Sequence, residues 1–174
     1  SRKFYAEVIL DETNKMDKLV KQLLELMKLE YGKREFNDTK FNIVELEKEV
    51  IRKSQVMLDE KQIEVQIDSP EQINVLADDF YIEQVVTNYI TNAIKHVKEK
   101  DGKKYIKVTN TVDVEKNIVR VKVFNTGDKI LEEHLARIWN RFYKVDESRN
   151  RAEGGTGIGL SLVKAIMKNY DKAY

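Results

Sequence analysis

The segment Gly154-Gly155-Thr156-Gly157-Ile158-Gly159-Leu160 holds four of the chain's seven glycines and runs directly into a helical apolar pattern that continues to about residue 169. Glycine allows tight turns and close backbone approaches, so the chain here must bend sharply or come close to something. A glycine-rich turn feeding a helix presents unpaired backbone N–H groups and a positive helix end, an arrangement that holds phosphate. No Gly-Lys-Ser or Gly-Lys-Thr triplet follows and no predicted strand precedes it, so the segment is neither a P-loop nor a dinucleotide fingerprint. Taken singly it also fits a flexible loop at the start of a helix.

Upstream, Asp78 or Asp79 is placed to cap a helix whose apolar positions are Ile82, Val85, Val86, Tyr89, Ile90, Ala93 and Val97. Asn88 and Asn92 are four apart on it and share a face, with Lys95 and His96 a turn further on. Asparagine is a mediocre helix former, so two on one face ask for a reason. An amide oxygen is a hard, neutral ligand suited to Mg²⁺ already carrying phosphate oxygens, and a nearby lysine offsets phosphate charge. Two solvated surface amides are the other reading. A third element, Asn125-Thr126-Gly127-Asp128-Lys129-Ile130, ends a β-rich run. An amide there reads the edge of a base and Gly127 lets a flat ring approach; a plain strand-end turn fits the residues equally well.

The rest of the chain supplies a scaffold. From 3 to 31 there is no Gly or Pro, and Ile9, Met16 and Leu23 recur seven apart among Leu19, Val20, Leu26 and Met27, which predicts one long amphipathic helix ending near Gly32. Its apolar stripe requires a partner helix. Beyond it the pattern predicts an extended piece near 39–42, Asn42 as an N-cap, a helix to about 60, and short strands through Ile63, Val65 and Ile67 and through Ile73 and Val75. It continues with the helix of Asn88 and Asn92, a hairpin joined by Val114-Glu115-Lys116-Asn117, a helical segment over 131–142, and the final helix. The predicted fold is α+β, a two-layer α/β sandwich with a mixed sheet covered by helices on one face, preceded by the long N-terminal helix. The 174 residues contain no cysteine and two histidines, His96 and His134, which excludes disulfides, thiol catalysis and a histidine-rich metal cluster. Lys+Arg 31 against Asp+Glu 30 gives no basic field for nucleic acid, and no run approaches a membrane span.

The three elements in this order, with Trp139-Asn140-Arg141-Phe142-Tyr143 between the second and third, resemble the ATP-binding domain of sensor histidine kinases, in the superfamily that includes gyrase-type and MutL-type ATPases. Residues 88–96 resemble its N box, 125–130 its first glycine box, 139–143 its F box and 154–160 its second glycine box. The similarity extends through 1–33, which resembles the second helix of a dimerisation and phosphotransfer hairpin whose first helix is absent from this sequence; 34–174 is then the ATP-binding catalytic domain, without the last strands the family usually has.

The resemblance implies Mg²⁺ and ATP as cofactors, with Asn92 as the Mg²⁺ ligand, Asn88 an accessory polar contact, Lys95 a phosphate contact and His96 beside the nucleotide. It places Asn125 and Gly127 at the adenine, the backbone of Gly155, Thr156, Gly157, Ile158 and Gly159 at the phosphates, and Ile130 and Leu160 in the ATP site. Tyr143 falls in the nucleotide site, and Arg149 and Arg151, in a lid over 144–153, reach toward the γ-phosphate. Asn125 stands where the family more often has Asp, and Lys129 where it has a second glycine. Neither histidine is at the phosphoacceptor position, so the implied reaction passes phosphate to a histidine not in this chain and then to a response regulator. The implied assembly is a homodimer through the N-terminal helix, cytoplasmic, with membrane attachment only through other segments of a parent protein. A gyrase- or MutL-type ATPase is disfavoured because Asn88 occupies the position of that class's general base. A dimerisation or docking module without nucleotide binding is the other alternative.

Overall fold

The computed structural model describes residues 2–32, 35–145 and 155–174. The chain divides into two compact units, one of Ser1–Glu35 with Ile130–Tyr174, the other Phe36–Lys129.

In the second unit β1 (Thr39–Asn42) leads directly into α2 (Ile43–Lys53), followed by α3 (Gln55–Glu60), β2 (Glu64–Asp68), β3 (Asn74–Ala77), α4 (Asp79–His96), β4 (Tyr105–Asp113) and β5 (Ile118–Asn125). Asn42 is the expected cap: its Oδ1 accepts from Val44 N at 3.1 Å and also from Ile73 N at 3.0 Å, so one side chain starts α2 and holds the approach to β3. The single helix expected to run to about 60 is broken at Ser54. Its hydroxyl donates to Val50 O at 3.0 Å, and this local competition for a helix carbonyl separates α2 from α3.

The strands form two sheets rather than one. β1 pairs antiparallel with β3, Thr39 opposite Ala77 through Asn42 opposite Asn74, while β2, β4 and β5 make a mixed sheet in that order. The parallel β2–β4 pair requires a crossover, and α4 lies within it; the antiparallel β4–β5 pair is closed by the expected four-residue turn, with Asn117 at φ 51° and Lys116 N bonded to Asp113 Oδ1 at 3.1 Å. Alternation along the strands sends Val65, Ile67, Ile106, Val108, Val119, Val121 and Val123 inward. There they meet Val44, Val50, Leu58, Val86, Ile90 and Ile94 from the helices. The opposite face carries a Lys107–Asp68 ion pair at 2.8 Å and the exposed Phe124 ring against Tyr105. Helices therefore cover one face of the mixed sheet, the α+β arrangement expected.

The first unit contains α1 (Arg2–Tyr31), α5 (Glu132–Leu135) and α6 (Gly159–Asn169). α1 packs on α6 through its C-terminal third, where Leu26 and Leu29 are buried, as are Leu162, Val163 and Ile166 of α6. Ile9, Met16, Val20, Leu24 and Met27 of α1 are exposed. The helix expected over 131–142 is confined to four residues. After Leu135 the chain proceeds by turns, and Phe142 takes φ 61°, where its N–H bonds to Gly157 O at 2.8 Å. A residue held left-handed by a partner fifteen positions away cannot continue a helix.

Candidate functional site

The sequence-predicted residues fall in both units, and each group is described within its own. In the second unit, α4 begins at Asp78, whose Oδ1 accepts from Tyr81 N at 3.3 Å and whose Oδ2 accepts from Asn37 N at 2.9 Å. Tyr81, Val85, Val86, Ile90, Ala93 and Ile94 are buried along the helix and fix its rotation, so Asn88 and Asn92 share another face, both half-buried. The two amides differ. Asn88 Nδ2 donates back to Gln84 O at 2.8 Å, whereas the Asn92 amide has no hydrogen-bond partner among the described residues. Lys95 is half-buried and His96 exposed in the last turn, which closes with Val97 N bonded to Ala93 O at 2.8 Å.

The end of α4 is joined to the end of β5. Lys98 N donates to Thr126 O at 2.8 Å, and the buried Thr126 is held from the other side by Tyr105, through Thr126 N to Tyr105 O at 3.0 Å and Tyr105 N to Thr126 Oγ1 at 3.1 Å. Lys98 Nζ and Asp128 Oδ2 add an ion pair across the same junction. Gly127 has φ 151°, and a Cβ on it would lie 2.8 Å from His96 O, so only glycine lets β5 come this close to the helix end. Asn125 Nδ2 donates to Thr126 O at 3.1 Å. That engages one hydrogen of the nitrogen and leaves Oδ1 available as an acceptor, the chemistry needed to take a hydrogen from an exocyclic amine of a base.

In the first unit, Gly157 has φ 73° and its carbonyl accepts from Phe142 N, while a Cβ would stand 2.9 Å from Phe142 Cα. This contact holds Phe142 and Gly157 together. Tyr143 follows, its hydroxyl 2.6 Å from His134 Nδ1 and its ring under the Arg137 guanidinium at 4.5 Å. The Thr156 hydroxyl donates to Gln22 Oε1 at 2.6 Å and receives Ile158 N at 3.4 Å. Ile158 is fully buried; it anchors the start of α6, whose N-terminus carries no side-chain cap. Gly155, Gly159 and Leu160 are half-buried beside it, and Ile130 is exposed. An uncapped helix start behind a glycine turn is receptive to an anion. Arg149 and Arg151 lie outside the described residues.

Three details escaped the sequence reading. Thr126 has no role in the sequence reading, the pairing of His134 with Tyr143 joins residues nine apart, and the Phe142–Gly157 clasp is a backbone contact; none leaves a mark in local pattern, though Gly157 within the glycine run is the nearest signal. Among the described residues no three His, Cys, Asp or Glu side chains converge on a metal position, and no helix is long and apolar enough to cross a membrane.

Residues 77–173, more than half of the chain, match the family described as histidine kinase-, DNA gyrase B-, and HSP90-like ATPase. The chain is 30% identical over 167 residues to the sensor-like histidine kinase SenX3 of Mycobacterium tuberculosis, covering 96% of this chain and 40% of that protein. It resembles the nucleotide-free catalytic domain of histidine kinase ThkA at TM-score 0.65 and 31% identity, over 78% of this chain and 82% of that one. It also resembles ThkA in complex with the response regulator protein TrrA, at TM-score 0.63 and 30% identity, over 83% and 41%. Together with a helix carrying Asn88 and Asn92, a glycine-lined strand end and a glycine turn opening α6, these likenesses establish that the chain belongs to the histidine kinase-, DNA gyrase B- and HSP90-like ATPase family and carries the ATP-binding domain of a sensor histidine kinase.

Proposed function

We propose that this chain is the Mg·ATP-binding kinase module of a sensor histidine kinase, donating the γ-phosphoryl group to a histidine outside these residues, from which it passes to a response regulator aspartate. The observation that carries the reading is the division of labour between the two α4 asparagines. Asn88 is tied to its own helix, while the half-buried Asn92 amide is uncommitted and fits a single hard oxygen ligand. Mg²⁺ prefers to keep several waters and substrate phosphates, so one amide suffices and a carboxylate cage is not needed. Bound Mg²⁺ would offset charge on the phosphate oxygens.

In each unit, further groups take binding roles on the family likeness. Asn125 Oδ1 accepts from the adenine amine, Gly127 gives the ring room, Lys95 opposes phosphate charge, and the N–H groups from Gly155 to Gly159 with the start of α6 hold phosphate oxygens. Catalysis is then positioning and charge stabilisation, with no side chain here acting as a base toward water. Asn88 is a carboxamide and cannot act as a general base at neutral pH, which sets this reading above a hydrolytic ATPase. The exposed apolar residues of α1 from Ile9 to Met27 support self-association of α1 with a second copy, as in the dimerisation hairpin it resembles. The response regulator as partner is supported by the likeness to ThkA, solved with TrrA.

The test uses γ-labelled ATP and Mg²⁺. The chain alone is expected to remain unlabelled, because His96 sits on α4 and His134 is paired with Tyr143. A polypeptide supplying the phosphoacceptor helix of a sensor kinase, added in trans, is expected to acquire acid-labile, base-stable phosphate. Stoichiometric labelling of the chain itself, or release of inorganic phosphate without transfer, would contradict the proposal.

A further inference from the structure

Glu47 lies on α2 within the core of the second unit and is 0% exposed; Asn110, opposite it on β4, is 5% exposed. Asn110 Nδ2 donates to Glu47 Oε2 at 2.7 Å and to Ser69 Oγ at 3.1 Å. The Ser69 hydroxyl gives its own hydrogen to Pro70 O at 3.0 Å, so its oxygen is free to accept, which fixes the Asn110 amide with nitrogen toward Ser69. Both amide hydrogens are thereby used. Among the described residues two buried side-chain atoms are left without a partner, Glu47 Oε1 and Asn110 Oδ1, and they are the remaining oxygens of the same pair.

If Glu47 were ionised, a carboxylate would be sealed in an apolar core with one neutral hydrogen bond and no cation, and Asn110 Oδ1 would be orphaned beside it, a costly arrangement on both counts. Several charged groups on the surrounding elements pair with one another rather than with Glu47: Lys48 with Glu45, Arg52 with Glu49, Lys53 of α2 with Glu83 of α4, and Lys107 of β4 with Asp68 of β2. One hydrogen on Oε1 resolves both vacancies. We propose that Glu47 is a neutral carboxylic acid in the folded chain, donating from Oε1 to Asn110 Oδ1 and accepting from Asn110 Nδ2 at Oε2, a closed acid–amide pair that makes the second unit a proton-binding site. Burial in the core pushes the Glu47 carboxyl above the ordinary glutamate range, only partly countered by the Asn110 hydrogen bond.

The linkage follows from the direction of that shift. Because the folded chain holds the proton more tightly than the unfolded one, stability from this site is fully present below the unfolded glutamate value of about 4.3 and is lost as pH rises through the raised folded value. Glu47→Gln tests it on the whole chain, since a glutamine amide donates to Asn110 Oδ1 and accepts from Nδ2 but does not titrate. Urea midpoints measured from about pH 5 to 8 are expected to fall for the native sequence and to change less for Glu47→Gln, with the variant the more stable at the upper end. A variant less stable throughout, with an undiminished slope, would overturn the proposal. Should the variant not fold, ¹³C resonances of glutamate carboxyls in the native chain decide alone: one that keeps its protonated shift at neutral pH supports the pair, and complete ionisation of all of them by about pH 6 overturns it.

Discussion

Gly157→Ala is expected to lower Mg·ATP affinity by at least about tenfold, equivalent to roughly 1.4 kcal/mol, and to destabilise the first unit by about 1–3 kcal/mol. Two costs act together. At φ 73° a side chain strains the backbone, and the new Cβ would stand 2.9 Å from Phe142 Cα and 3.2 Å from its carbonyl carbon, neither of which is a flexible side-chain end. Relief requires the two strands of the clasp to separate, which sacrifices the 2.8 Å bond from Phe142 N to Gly157 O and lets Phe142 leave its own left-handed conformation. The backbone N–H groups that lead into α6 then lose their fixed direction, and phosphate binding suffers in proportion to the number of phosphates on the ligand. Calorimetric titration with ATP, ADP and adenosine separates this from general unfolding: the loss should be large for ATP and small for adenosine, with the far-ultraviolet circular dichroism retained.

Gly127→Ala is expected to produce the complementary pattern, an affinity loss of roughly tenfold or more that is similar for every adenine nucleotide and present with or without Mg²⁺. A Cβ here meets His96 O at 2.8 Å and Lys98 N at 3.5 Å, so β5 must retreat from the end of α4. The 2.8 Å bond from Lys98 N to Thr126 O is the first casualty, and Asn125, whose amide leans on Thr126 O, shifts with it. The acceptor for the base amine is displaced while the phosphate-binding groups of the first unit are untouched. The same titrations read this out, and a loss confined to the triphosphate would show that the adenine contact has been misplaced.

Much of the architecture was legible because it rests on periodic burial. α4 and α6 bury stripes at helical spacing, α1 carries such a stripe but buries only Leu26 and Leu29 of it, and β2, β4 and β5 alternate, so each was visible in the order of apolar residues. The breaks were not legible, since each is set by a contact that spacing does not encode. Ser54 interrupts a well-patterned helix with a hydroxyl that turns back on Val50, and Phe142 leaves the helical region for Gly157, fifteen positions on. The division into two sheets depends on which strand edge meets which, and β2 chose the distant β4 over its neighbour β3. At the site, the asparagine spacing on α4 was clear and the resemblance alone set the two apart; the hydrogen bond from Asn88 to Gln84 O adds a difference between them that spacing does not encode. Glu47 is the instructive case: in sequence it is one charge among many on an amphipathic helix, and only the fold shows that it is sealed against Asn110.

The proposed role of Asn92, making nucleotide binding dependent on Mg²⁺, is tested most directly by calorimetric titration of the chain with a non-hydrolysable ATP analogue, with and without Mg²⁺, for the native sequence and for Asn92→Ala. Binding that strengthens about tenfold or more with Mg²⁺ in the native chain, and loses that enhancement in Asn92→Ala, is the predicted result. Binding that is equally tight in both chains and indifferent to Mg²⁺, or absent from the native chain at millimolar analogue, would contradict the account.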